Sequence, residues 1–147
     1  MARIKIDLPE TFAFTTSLMV RITDLNYGAH AGNDTVLGFI HEARVRYLQS
    51  LGYSEFNLEG AGLIMADAAL VFKNEIYYGD ELLISIQTTE FSRVGFDMVY
   101  KIERKKADQP LILVAIAKTN MACFDYERKK VIPLPEKAVL SLKRNAN

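Results

Sequence analysis

Tryptophan is missing from this sequence, cysteine occurs once and histidine only twice. The lone Cys123 has no partner for an internal disulfide, so a reducing compartment is expected. No charge excess exists, because 18 basic residues balance 18 acidic ones. That removes the main electrostatic argument for a nucleic-acid partner. No long apolar run is present either. The longest, LILVAIA at 111–117, is far too short to cross a bilayer. Repeats and low-complexity tracts are absent. What remains is half apolar residues in a chain of 147, enough for a real core. The expectation is a soluble, cytoplasmic chain forming one domain over 1–147, with neither nucleic acid nor membrane as partner.

Against this plain background one stretch stands out. DLNYGAHAGND, residues 24–34, holds two Asp, two Asn, two Gly and one of the two histidines. Before it, FTTSLMVRIT (14–23) is rich in β-branched and apolar residues and predicts a strand. RIKIDL (3–8) alternates, as a short edge strand or extended arm would.

After it, Val36, Leu37, Ile40, Ala43, Tyr47, Leu48 and Leu51 recur at helical spacing. The spacing predicts a helix of about five turns. Asn33 or Asp34 could cap its start. Gly52 stands where a left-handed residue ends a helix. Glu42 and Arg46 are four apart, in the favourable order for an ion pair.

The remainder reads as strand: 62–76, 80–93, 95–106 and 110–126. Tight connections at YYGD (77–80), RVG (93–95) and KADQ (106–109) favour antiparallel hairpins. PLPEKAVLSLKRN closes the chain as a short helix with Pro135 near its start. One helix cannot cover both apolar faces of such a sheet, so its back or its edge is expected to meet another subunit.

This order of elements, and four segments within it, resemble the hotdog-fold acyl-CoA thioesterases of the 4-hydroxybenzoyl-CoA thioesterase type. The segments are VRITDLNYGAHAGND, HEARVRYLQSLGY, YYGDELLISIQTTEFSRVGFDMVYKI and CFDYERKKVIPLPEKA. The resemblance covers about residues 14 to 137. It implies an α+β hotdog fold, with an antiparallel sheet wrapped around one long central helix. It also implies a homodimer or higher homo-oligomer, with active sites at the subunit interface. The implied reaction is hydrolysis of an acyl-CoA or acyl-carrier-protein thioester without metal or bound cofactor, coenzyme A entering only as part of the substrate.

Thioester hydrolysis needs a base or carboxylate, donors for the oxyanion and an acyl pocket. A helix start offers free N–H groups and the positive end of a dipole. Aligned on His30, the family's usual carboxylate position falls on Asn26, and an amide is no base. Asp24, His30, Asp34 and Glu42 are therefore the candidate acid/base groups, with Asn26 to orient water or bind the thioester oxygen. Ala29 stands where the family has Gly. The match also places Gly32 and Asn33 on two family asparagines, the second a source of an oxyanion N–H. Tyr27, Gly28, Gly32 and Asn33 are the candidate substrate-binding residues.

Simpler roles compete at each position. Asp34 could cap the helix and Asp24 could brace the turn. Glu42 could serve only Arg46, Tyr27 could only pack, and Gly28 and Gly32 could be needed for backbone shape. Lys73, Arg93, Arg128, Lys129 and Lys130 could reach coenzyme A phosphates or be plain solvated charge. Gly79-Asp80 reads as a turn, and Cys123 as buried and inert. Two other functions stay open: a hotdog-fold enoyl-CoA hydratase, and a non-catalytic acyl-CoA-binding module.

Overall fold

The computed structural model describes residues 3–144. Its elements run β1 (Phe14–Met19), a 3-10 turn (Ile22–Asp24), α1 (Asn33–Ser50), β2 (Gly62–Phe72), β3 (Glu81–Thr89), β4 (Gly95–Lys105), β5 (Ile112–Asp125), β6 (Lys130–Val131) and α2 (Glu136–Arg144). The sheet order is β1-β3-β4-β5-β2, with β6 added to β5. All pairings are antiparallel. This is the hotdog architecture: one long helix with an antiparallel sheet around it.

The apolar stripe of α1 is buried as its spacing requires. Val36, Phe39, Ile40, Ala43, Tyr47 and Leu48 all lie in the core, while Leu37 and Leu51 are half-buried. Each large member of that stripe contributes about 1.5–3 kcal/mol by leaving water. They meet Leu82, Ile84 and Ile86 of β3 and the even-numbered residues Phe96 to Ile102 of β4. Arg44 is buried among them. Its guanidinium donates to the Tyr100 hydroxyl at 3.1 Å, and that oxygen bonds Thr119 at 2.8 Å. The counter-charge is the Glu55 carboxylate, 3.8 Å from Arg44 Nε, as a buried ion requires.

The helix stops at Gly52, whose φ is +81°, the left-handed region glycine favours. Its start differs from the expectation. Neither Asn33 nor Asp34 caps it. The cap position belongs to Gly32, which has no side chain to offer, so the first N–H groups stay free of side-chain partners.

One further expectation changes. YYGD does not close a hairpin: β2 crosses to the far edge and pairs with β5, while β3 lies between β1 and β4. The YYGD turn instead seals the end of β1, with Val20 and residues 79–80 exchanging backbone hydrogen bonds of 2.9 and 3.0 Å. Of the two forms expected for the N-terminal segment, edge strand or arm, the chain takes the arm, which covers part of the outer face of the sheet. Ala13 N–H donates to the Gln87 side chain at 2.8 Å, the Lys101 ammonium sits 4.8 Å from the Phe12 ring centroid, and Ile6, Leu8 and Pro9 line a hollow with Val99. Among the described residues, no helix is long and apolar enough to cross a membrane.

Candidate functional site

The polar stretch 24–34 folds into a closed turn between β1 and α1. Asn26 N–H donates to His30 C=O at 2.9 Å, and Leu25 and Ala31 form an antiparallel bridge. Inside the turn the Asn26 side-chain oxygen accepts from Gly28 N–H at 2.8 Å, an Asx turn. Ala29 closes it with φ +65°, a left-handed conformation that costs a residue with a Cβ about 1 kcal/mol or more.

Within the turn, Asn26, His30 and Asp34 surround two glycines. A Cβ built on Gly28 would lie 3.2 Å from both Asn26 Oδ1 and His30 Nε2. One on Gly32 would lie 2.6 Å from Asp34 Oδ1 and 3.7 Å from Asn26 Nδ2. Both glycines are therefore crowded positions: Asn26 and His30 close on Gly28, Asp34 and Asn26 on Gly32, and a side chain at either would force a neighbour to move. The uncapped start of α1 follows at Asn33.

His30 is half-buried. Its Nδ1 contacts Ala31 C=O at 3.2 Å, a contact in which only a protonated Nδ1 can donate. Its Nε2 lies 3.8 Å from the Glu75 carboxylate. Glu75 sits between β2 and β3 in KNEIYYGD, and no motif in the sequence singled it out. A hollow of about 240 Å³ opens here, lined by His30, Asn33, Phe72, Lys73 and Glu75 among others. Lys73 is thus the one basic residue, of those weighed for phosphate contact, that lines it.

Asp24 and Glu42 border a different hollow, of about 560 Å³, between β1 and α1. Asp24 is 6% exposed and firmly tied. It accepts Arg21 N–H at 2.8 Å and pairs with the Arg21 guanidinium at 3.1 Å. Burial alone would raise its carboxyl, but Arg21's side chain and backbone together hold it below the usual carboxylate range. Glu42 pairs with Arg46 at 2.9 Å, as the helical spacing predicted. Arg46 also donates to Thr16 and to Ser17 C=O, stitching α1 to β1. Tyr27 is fully exposed at the tip of the turn and packs on nothing in this chain. Cys123 is buried, and burial pushes its thiol up to about 11.

These geometries can be set beside those of known proteins. The model of the thioesterase-like superfamily matches residues 20–142. A 1,4-dihydroxy-2-naphthoyl-CoA hydrolase from Nostoc punctiforme is 27% identical over 139 residues, covering 90% of this chain and 88% of that protein. The crystal structure of a 1,4-dihydroxy-2-naphthoyl-CoA thioesterase from Synechocystis superposes with a TM-score of 0.77 at 26% identity, over 88% of this chain and 95% of that one. The 4-hydroxybenzoyl-CoA thioesterase of Pseudomonas sp. strain CBS-3 gives a TM-score of 0.77 at 18% identity, over 87% and 97%. That last likeness speaks for the fold alone. Sequence model and architecture agree: this chain belongs to the thioesterase-like superfamily.

Proposed function

We propose that this protein hydrolyses acyl-CoA thioesters with His30 as general base, in a site completed by a second copy of the chain. The observation that carries this reading is that His30 lines one hollow with Asn33, the first residue of the uncapped helix α1. With Nδ1–H directed to Ala31 C=O, Nε2 is the nitrogen left to accept a proton. It takes that proton from water as the water oxygen attacks the thioester carbonyl. The oxyanion forms against the free N–H groups of Asn33 and Asp34. Asn26 orients the water or the thioester oxygen through its amide. The C–S bond then breaks, the proton passes from Nε2 to the leaving sulfur, and a carboxylic acid and free coenzyme A result. No metal enters this scheme. A carrier-protein thioester would present the same reacting group.

We assign Asp24 and Glu42 to structure, because both are held by arginines across a hollow that shares no lining residue with the His30 hollow. Asp34 keeps to the crowded Gly32 position and is given no chemical step, while Lys73 at the rim of the His30 hollow suits a phosphate of coenzyme A. The second copy is placed against β2. That strand is a sheet edge with exposed backbone and small residues at Ala66 and Ala68, and its end runs straight into the Phe72–Glu75 wall of the hollow. Tyr27, bare in one copy, becomes available to line an acyl pocket made by two. An aromatic acyl group is the first choice, following the naphthoyl substrate named for the relatives. The lone buried cysteine suits the cytoplasm.

The test is thiol release from short, long and aromatic acyl-CoAs, followed with a thiol reagent. Turnover on the aromatic members is the expected result. A change in enoyl absorbance without thiol release would instead indicate a hydratase. Thermal stabilisation by the same ligands without turnover would indicate a binding module.

A further inference from the structure

The chain carries Asn26 where its resemblance expects a carboxylate, so His30 needs its electrostatic support from elsewhere. The structure brings one carboxylate to Nε2, that of Glu75, at 3.8 Å. Its position is not the accident of a floppy surface chain. Ala31 N–H donates to Ile76 C=O at 2.8 Å, which fixes the residue after His30 against the residue after Glu75. Arg104 of β4 donates to Glu75 C=O at 2.8 Å, and the Asn74 side chain donates to Leu113 C=O of β5 at 2.7 Å. The Tyr77 hydroxyl donates to Glu75 Oε2, so the second carboxylate oxygen is occupied while Oε1 faces the imidazole. An irregular segment is thus clamped at three successive residues, and the carboxylate is oriented by a fourth.

We propose that Glu75 is the positioning residue of His30, supplying from the β2–β3 connection the negative charge that Asn26 does not supply. The proposal rests on the hydrolase reading above. When Nε2 takes the proton from water, the ring becomes a cation held at Nδ1 by Ala31 C=O, with the Glu75 carboxylate 3.8 Å from Nε2 as a through-space counter-charge and the Nε2–H left for the leaving sulfur. A fixed anion beside a charge that develops only during reaction stabilises the intermediate more than the ground state. An exposed pair of this length adds little to folding, so its effect belongs to turnover. Tyr77 acts one step further out, by holding Glu75.

The experiment compares wild type, Glu75→Gln and Glu75→Ala on the best acyl-CoA of the panel. Both variants should lose kcat by roughly 10- to 100-fold with KM nearly unchanged, the signature of an interaction made in the transition state. Added formate should restore part of the Glu75→Ala rate and none of the rate lost in His30→Ala, since a merely structural role cannot be refilled by a small anion. Unchanged kcat in both variants, a loss confined to KM, or a Glu75→Ala enzyme that formate does not rescue would each overturn the role of Glu75 while leaving the hydrolase reading in place. A wild-type protein that hydrolyses nothing would overturn both.

Discussion

Two hollows border α1 without a residue in common, and they treat their ionisable groups differently. In the larger, both carboxylates are locked. Asp24 is buried and accepts from Arg21 twice over, and Glu42 is tied to an arginine that also bonds β1. In the smaller, His30 has one long hydrogen bond and a carboxylate 3.8 Å from its Nε2, beyond hydrogen-bond reach. A fully partnered ion is stabilised in the state it already occupies, and it has little reason to change that state. An incompletely partnered imidazole can gain and lose a proton at little structural cost. Volume alone favours the larger hollow; the proposed function rests instead on the smaller, where the imidazole is incompletely partnered.

The sharpest way to break this contrast is His30→Ala. Turnover should fall by about 100-fold or more with the melting temperature hardly changed. Steady-state kinetics and a thermal melt on one sample check both halves, and wild-type turnover would remove His30 from the chemistry.

Asp24→Asn should do the reverse, lowering stability by about 1–2 kcal/mol through the loss of charge-assisted hydrogen bonds while kcat changes little. The sign of its pH dependence follows from its depressed carboxyl. A group whose folded value lies below its unfolded value stabilises the fold above the unfolded value. The gap between wild type and Asp24→Asn should therefore be full at neutral pH and close as the pH falls through the carboxylate range. Urea melts across that range would show it, and a gap that widened on acidification would contradict the assignment.

Ala29→Gly tests the turn that carries His30. Relief of the left-handed strain at φ +65° should offset the entropy of a new glycine and leave stability equal or up to about 1 kcal/mol higher. A clear loss of stability would mean the Ala29 methyl group has a packing role. The smallest effect is expected from Glu42→Gln. An exposed helical pair is worth about 0.3–0.5 kcal/mol, and turnover should be indistinguishable from wild type. A large loss of kcat there would bring the second hollow back into the chemistry.

Local features of the chain were legible in advance. The 3.6-residue stripe from Val36 to Leu48 marked α1, Gly52 marked its end, and Glu42–Arg46 was a pair dictated by spacing. The RVG and KADQ turns joined β3, β4 and β5 as hairpins because short links leave a strand no other neighbour. The density of Asp, Asn, Gly and His in 24–34 marks the candidate site, though side-chain identity does not tell a brace from a base. Asp24 and His30 look equally reactive as letters. Only their partners separate them, and Arg21 was unremarkable until its guanidinium was seen on Asp24.

By itself, then, the sequence determined the helix, its stop, the hairpins and the place where polar groups gather, because each depends on residues within a few positions of one another. The tertiary structure decided the rest. It sent β2 to the far edge of the sheet, laid the N-terminal segment over the outer face, and set Glu75 beside His30 through one backbone hydrogen bond between Ala31 and Ile76. Those outcomes depend on which distant strands pair. A burial pattern reports that a strand is covered, and carries no record of what covers it.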